Sequence, residues 1–135
     1  MRLAADANVL LAAVLGGRAK LVFLSGKVDE VLTTEHTFGE VEQYISILAR
    51  KRRLPHDLLL LTLAAMPLTI VAPPEYSASI SEARRRIAHR DPDDVDILAL
   101  ALRLQIPLWS NDKDFTGTGI DWMTTEGLMK KLGLI

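Results

Sequence analysis

The stretch from Arg90 to Phe115, RDPDDVDILALALRLQIPLWSNDKDF, constrains the chain most, because it sets acidic clusters at both ends of an apolar helix–strand unit. Pro92 suits an N-terminal helical position, and Asp93 and Asp94 fall at the N-cap and first turn, where carboxylates complement the helix dipole. Ile97, Leu98, Ala101, Leu102 and Leu104 then recur at helical spacing. Gln105-Ile106-Pro107 ends that helix, Leu108 and Trp109 read as a short buried strand, and Ser110 to Phe115 is a polar loop at its carboxyl end. In an open α/β sheet, ligands bind along that edge.

The rest of the chain repeats the alternation. Leu3-Ala4-Ala5 reads as a buried strand ending at Asp6, followed by a helix over Val9 to Leu15 that Gly16-Gly17 terminates. A helix with Ala19, Leu21, Val22 and Leu24 runs to Gly26, and a second strand lies around Val31 to Thr34. From Glu35 to Arg53 a long helix carries the stripe Phe38, Val41, Ile45 and Leu48, with Arg50 to Arg53 in its last turn. Pro55 starts another helix, His56 to Met66, apolar around most of its circumference. Its surplus apolar face reads equally as core or as a dimer surface. Leu68 to Ala72 is a strand closed by Pro73-Pro74, and Ser77 to Arg90 a helix with Ile80, Ala83, Ile87 and Ala88 inward. A last strand, Ile120 to Met123, leads to a terminal helix capped by Thr124 or Thr125 and running through Leu132. Strands separated by helices in this way predict a three-layer α/β/α sandwich around a central, mainly parallel sheet. The 135 residues contain no linker or repeat and suit a single domain, 1–135.

Three acids fall where such a sheet presents residues to one edge: Asp6 after the first strand, Asp94 at a helix start, and Asp112 after the strand at Leu108-Trp109. Glu40 lies within the long helix. Carboxylates brought to about 5 Å of one another repel by about 3 kcal/mol per pair at an effective dielectric near 20. Proton uptake or a hard divalent cation offsets that, and oxygen-only ligation suits Mg²⁺ or Mn²⁺.

Each acid also has a plainer reading. Asp6 can cap the following helix, Glu40 can lie on a solvated helix face, Asp93 and Asp94 can be first-turn charges, and Asp112 and Asp114 can be turn residues. Ser110 either bonds a metal-held water or shapes the turn. The basic runs Arg50 to Arg53, Arg84 to Arg86 and Arg90 read first as solvated, dipole-paired helix ends. His36, His56 and His89 lack the pairing of a helical zinc site and read as surface or capping groups.

Composition narrows the classes. With no cysteine, the chain has no disulfide, thiolate metal site or cysteine nucleophile. A net charge of −1 gives no global field to draw in a polyanion, so nucleic acid must be met by local patches or a metal. No apolar run approaches the roughly 18 residues of a membrane span. Met1-Arg2-Leu3 leads into structure-like sequence without a signal-peptide pattern, which makes the cytoplasm the expected location.

These motifs together resemble the PIN-domain ribonucleases, the family that includes VapC-type toxins, over most of the chain. Asp6-Ala7-Asn8 matches the family's D-x-N/S/T after the first strand, and Glu40 in TFGEVEQYISIL its helical glutamate. Asp94 before Ala99-Leu100-Ala101 matches the acid opening the third motif, and Asp112 in SNDKDF the fourth. The resemblance implies an endoribonuclease dependent on Mg²⁺ or Mn²⁺, with Asp6, Glu40, Asp94 and Asp112 holding metal for a water that attacks the RNA phosphodiester. Asn8, Asp93, Ser110 and Asp114 are auxiliary, and Asp96 is near enough to be confused with them. Ala7 stands where a hydroxyl residue is sometimes found, so an assisting hydroxyl must come from Ser110 or elsewhere. It further implies the toxin of a type II toxin–antitoxin pair, a homodimer inhibited by an antitoxin segment over the acidic cleft.

Two other functions compete. An aspartyl-phosphate phosphatase with Asp6 as nucleophile wants an acid two residues on, where this chain has Asn8. A non-catalytic RNA- or protein-binding module would retain RNA without metal-dependent cleavage.

Overall fold

The computed structural model describes residues 1–135. A parallel sheet of five strands runs in the order β3-β2-β1-β4-β5, formed by β1 (Arg2–Ala5), β2 (Glu30–Thr34), β3 (Leu68–Val71), β4 (Leu108–Trp109) and β5 (Trp122–Met123). Side chains alternate across β1, so Leu3 and Ala5 enter one core and Ala4 the other. The first core is completed by α1 (Ala7–Val14), α2 (Ala19–Leu24), α3 (Glu35–Arg52), α4 (His56–Ala65) and α7 (Thr125–Lys131). The second is completed by α5 (Ile80–Ile87) and α6 (Val95–Leu104). Those layers are the α/β/α sandwich that the alternating pattern predicts.

The LALAL helix lies deepest. Val95 and every residue from Ile97 to Ala101 on α6 are buried, which explains why its sequence is apolar on nearly all sides. It closes on Gln105 in the left-handed conformation (φ 55), ahead of Ile106-Pro107. Trp109 on β4 is fully buried against Phe23, and its Nε1 donates to Thr125 Oγ1 at 3.0 Å.

Several boundaries differ from the sequence reading. The expected helix from Ser77 to Arg90 opens instead as a 3-10 turn at Ser77–Ser79, preceded by another at Pro73–Glu75, and is α-helix only from Ile80 to Ile87. Burial of Tyr76 between those turns, its hydroxyl bonded to Asp96 Oδ2 at 2.6 Å, fixes the chain there. β5 shortens to Trp122–Met123 because β4 offers only Leu108 and Trp109 as partners. On α3 the fully buried face is Thr37, Val41, Ile45 and Ala49, with Phe38 and Leu48 half-buried. Thr37 is drawn inward by Thr34, whose hydroxyl caps the helix through the Thr37 amide at 2.9 Å and bonds its hydroxyl at 2.7 Å.

The open question on α4 resolves against the core. Leu63 alone on that helix is buried, whereas Leu58 and Leu61 are 57% and 65% exposed. With Leu24 of α2 at 70%, they border an apolar groove of about 380 Å³. No helix is long and apolar enough to cross a membrane.

Candidate metal centre

Strand order reverses at β1, flanked by β2 on one side and β4 on the other, and a crevice opens beyond the carboxyl ends of β1 and β4. Asp6 follows β1 directly and Asp112 lies three residues beyond β4. Asp94 arrives from the far layer, at the entrance to α6. One carboxylate oxygen from each of the three lies within 4.8 Å of the others. Glu40 of α3 lines the same cleft, about 300 Å³ in volume, together with Asp91, Asn8, Leu11 and Tyr44.

The local bonds decide between capping and other work for each acid. Asp6 is the N-cap of α1, its Oδ1 accepting from the Ala7 amide at 2.8 Å. Its Oδ2 accepts from Ser110 Oγ at 2.7 Å and Asn8 Nδ2 at 3.1 Å. Asp112 caps a 3-10 turn, Lys113–Phe115, through Oδ1 and the Asp114 amide at 2.9 Å. Asp94 is different: it stands at the N-cap of α6 but makes no side-chain cap bond. Asp91 takes that task one turn earlier, accepting from the Asp93 amide at 2.9 Å. Asp94 is 7% exposed, its carboxylate faces two other acids, and its Oδ2 is buried without a hydrogen-bond partner. A buried, unpartnered carboxylate oxygen costs on the order of 1–3 kcal/mol or more, unless protonation or a cation relieves it.

Electrostatics express the same frustration. Burial, then the charges of Asp6, Asp91 and Asp112, push Asp94 up to about 8. Burial also raises Glu40 to about 7, against the pull of His36 and with the push of Asp93, Asp6 and Asp91. Asp6 is raised by burial too, in opposition to its bonds from Ser110 and Ala7. An all-oxygen donor set with an orphaned member fits a hard divalent cation, and Asp6, Asp94 and Asp112 are the residues that would hold it.

Polar groups tie the cleft to its frame. Ser110 Oγ accepts from Asn8 Nδ2 at 3.0 Å and from the Asp112 amide at 3.0 Å, so one hydroxyl links the β1 and β4 sides. Asn8 Oδ1 accepts from the Asn111 amide at 3.0 Å, and Asn111 Oδ1 in turn from the Thr125 amide at 2.8 Å. Asn8 serves here as a donor and spacer, a role an acid two residues after Asp6 could not share. Arg90 Nη1 donates to the carbonyls of Asp114 and Thr116 and braces the loop carrying Asp112.

Of the eight residues singled out from sequence, the structure groups seven at this cleft or its rim. Asp114 engages Asp112 and Arg90 through its backbone, and its side chain does not line the cleft. Asp93 sits on the rim, where His36 Nε2 lies 3.6 Å from both Glu40 Oε1 and Asp93 Oδ1. Sequence reading gave His36 no partner, though its i,i+4 relation to Glu40 was a signal. It also passed over Asp91, Leu11 and Tyr44; Tyr44, one turn beyond Glu40, was visible by the same spacing. A larger cavity of about 520 Å³ lies at the opposite strand ends, where Arg86 is already committed to Glu82 and the Thr118 carbonyl.

Residues 5–133 match the profile of the PIN domain. Among solved structures, the chain resembles PAE2754 from Pyrobaculum aerophilum with a TM-score of 0.76 at 16% identity, covering 100% of this chain and 97% of that one. VapBC2 from Rickettsia felis, bound to a DNA fragment from its promoter, matches at 0.72 with 13% identity over 92% and 98% of the respective chains. Mycobacterium tuberculosis VapC20, described as a sarcin-ricin loop cleaving toxin, matches at 0.62 with 18% identity over 87% and 95%. No curated protein matches by sequence.

Proposed function

From the premise that this chain belongs to the PIN-domain family, we propose that it is a Mg²⁺- or Mn²⁺-dependent endoribonuclease. The observation that carries the reading is the Asp94 carboxylate, held beside Asp6 and Asp112 with a buried oxygen that no protein group satisfies. A bound divalent cation would supply charge neutralisation, orientation of the phosphodiester and acidification of the attacking water.

The chain's own residues do the rest. Ser110 and Asn8 hold Asp6 through its Oδ2, the Asp114 amide holds Asp112, and burial on α6 fixes Asp94, so the three carboxylates are set before anything binds. Glu40, poised near neutrality, is placed to take a proton from water approaching the cleft.

The reading extends to a toxin of the type II kind, working in the cytoplasm and restrained by an antitoxin protein. Supporting it is a fold neighbour that is itself a toxin–antitoxin complex, from Klebsiella pneumoniae, which matches with a TM-score of 0.66 at 21% identity over 91% and 97% of the chains. The exposed leucines of α2 and α4 give a protein partner or a second copy an apolar face to cover.

The test is cleavage of a mixed single-stranded RNA pool by wild type and Asp94→Asn, in Mn²⁺ or Mg²⁺ and again with EDTA. Cleavage that disappears both with EDTA and with the substitution is the expected result. RNA retained but uncut by wild type under every metal would favour a binding module, and equal cleavage by both proteins would remove Asp94 from the site.

A further inference from the structure

We propose that Tyr44 is a substrate-binding residue of this cleft, an aromatic platform on which a base of single-stranded RNA stacks while the adjoining phosphodiester lies over the carboxylates. The inference rests on the ribonuclease reading and adds to it the group that grips the nucleoside.

The lining of the cleft is of two unlike kinds. Asp6, Asp91, Asp94, Asp112 and Glu40 make it acidic, and no lysine or arginine lines it. Phosphate contacts to basic side chains, the usual source of nucleic-acid affinity, are thus missing inside it. What remains for the protein to offer is the less polar part of the lining, which includes Tyr44 of α3 and Leu11 of α1. Stacking needs no basic side chain, and it tolerates any sequence because every base has a π-face.

Tyr44 is free for that work. It follows Glu40 by one helical turn, so the ring and the carboxylate share a face of α3. It is 45% exposed, while the packing of α3 is carried by Val41, Ile45 and Ala49. Burial and the nearby charge of Glu40 and Asp93 hold its phenol above the ordinary range, so the ring stays neutral beside an anionic substrate.

The experiment measures binding of a fluorescein-labelled single-stranded RNA 12-mer by anisotropy in Ca²⁺, with wild type, Tyr44→Phe and Tyr44→Ala. Each is repeated with RNAs carrying an abasic site at successive positions. Tyr44→Ala is expected to weaken binding at least about fivefold and Tyr44→Phe less than twofold, in keeping with stacking contributions of about 1–3 kcal/mol per base. One abasic position should cost wild type the same factor and cost Tyr44→Ala almost nothing. That coupling is a readout which a purely structural tyrosine would not produce. Binding by Tyr44→Ala within twofold of wild type, or an abasic penalty that persists undiminished in it, would overturn the assignment. So would Tyr44→Ala leaving RNA binding intact while abolishing capture of a protein inhibitor, which would make the ring a partner contact. If wild type cuts RNA yet shows no coupling, Tyr44 alone falls; if wild type neither binds nor cuts RNA with any cation, the ribonuclease reading falls with it.

Discussion

Asp94 shows how a single side chain can carry opposed demands. A carboxylate at a helix start is ordinary, but this one leaves capping to Asp91 and faces Asp6 and Asp112 from a buried position. Its folded-state value of about 8 lies above the usual 3.8, so between those limits the folded protein holds a proton that the unfolded chain releases. Its contribution to stability is therefore fully present below pH about 4 and is lost as pH rises through about 8. Metal-free wild type should accordingly melt at lower temperature at pH 8 than at pH 5. Asp94→Asn should flatten that dependence and raise Tm at pH 8 by a few degrees, an effect on the order of 1 kcal/mol. Scanning calorimetry across pH would show it, and a wild-type curve with no fall between pH 5 and 8 would contradict it. Adding Mn²⁺ at about 100 times Kd should stabilise wild type by about 2.7 kcal/mol and leave Asp94→Asn nearly unmoved.

Ser110 matters through the elements it joins. Its hydroxyl donates to Asp6 after β1 and accepts from the Asp112 amide after β4, two strands that pair over only two residue positions. Ser110→Ala removes one donor from a buried carboxylate and releases the loop that positions another. Metal affinity should drop by about 10- to 100-fold, as is usual when the groups orienting ligands are lost. Titration with Mn²⁺ followed by electron paramagnetic resonance measures this directly, and unchanged affinity would make Ser110 a turn residue only. In the layer behind, Leu98 of α6 is fully buried, and Leu98→Ala should cost about 2–5 kcal/mol in urea unfolding. That loss would reach the site as well, since α6 delivers Asp94.

For the molecule as a whole, the unusual surface is the leucine face of α2 and α4. Leu24, Leu58 and Leu61 are more than half exposed in the single chain, on a protein whose core is otherwise filled by alternating strands and buried helix faces. In the proposed assembly that apolar surface is what a partner would cover. The combined substitution Leu58→Ser and Leu61→Ser should leave Tm within a few degrees of wild type, because neither side chain is core. It should also reduce the solution mass from an assembly to a monomer, read by light scattering. A wild type already monomeric at high concentration and without a protein partner would remove the assembly from the proposed function.

The order of elements is legible before folding, because period and punctuation are local: alternating apolar runs, Gly16-Gly17 after α1 and Pro107 after α6 are readable without a partner. The sequence also marked Asp6, Asp94 and Asp112, since each follows a strand or opens a helix and so must come to one edge of a parallel sheet. Packing in three dimensions settles what local pattern cannot encode. The exact buried face of α3, the exposure of α4 and the shortness of β5 depend on which neighbours each element meets. Likewise, Asp91 rather than Asp94 is the residue that caps, and Tyr44 and Leu11 come to one cleft only because α1 and α3 pack side by side. Whether a carboxylate is a cap or an orphan is a question of desolvation and of the charges around it. Those are properties of three-dimensional neighbours, fixed only when β1, β4 and α6 close on one another.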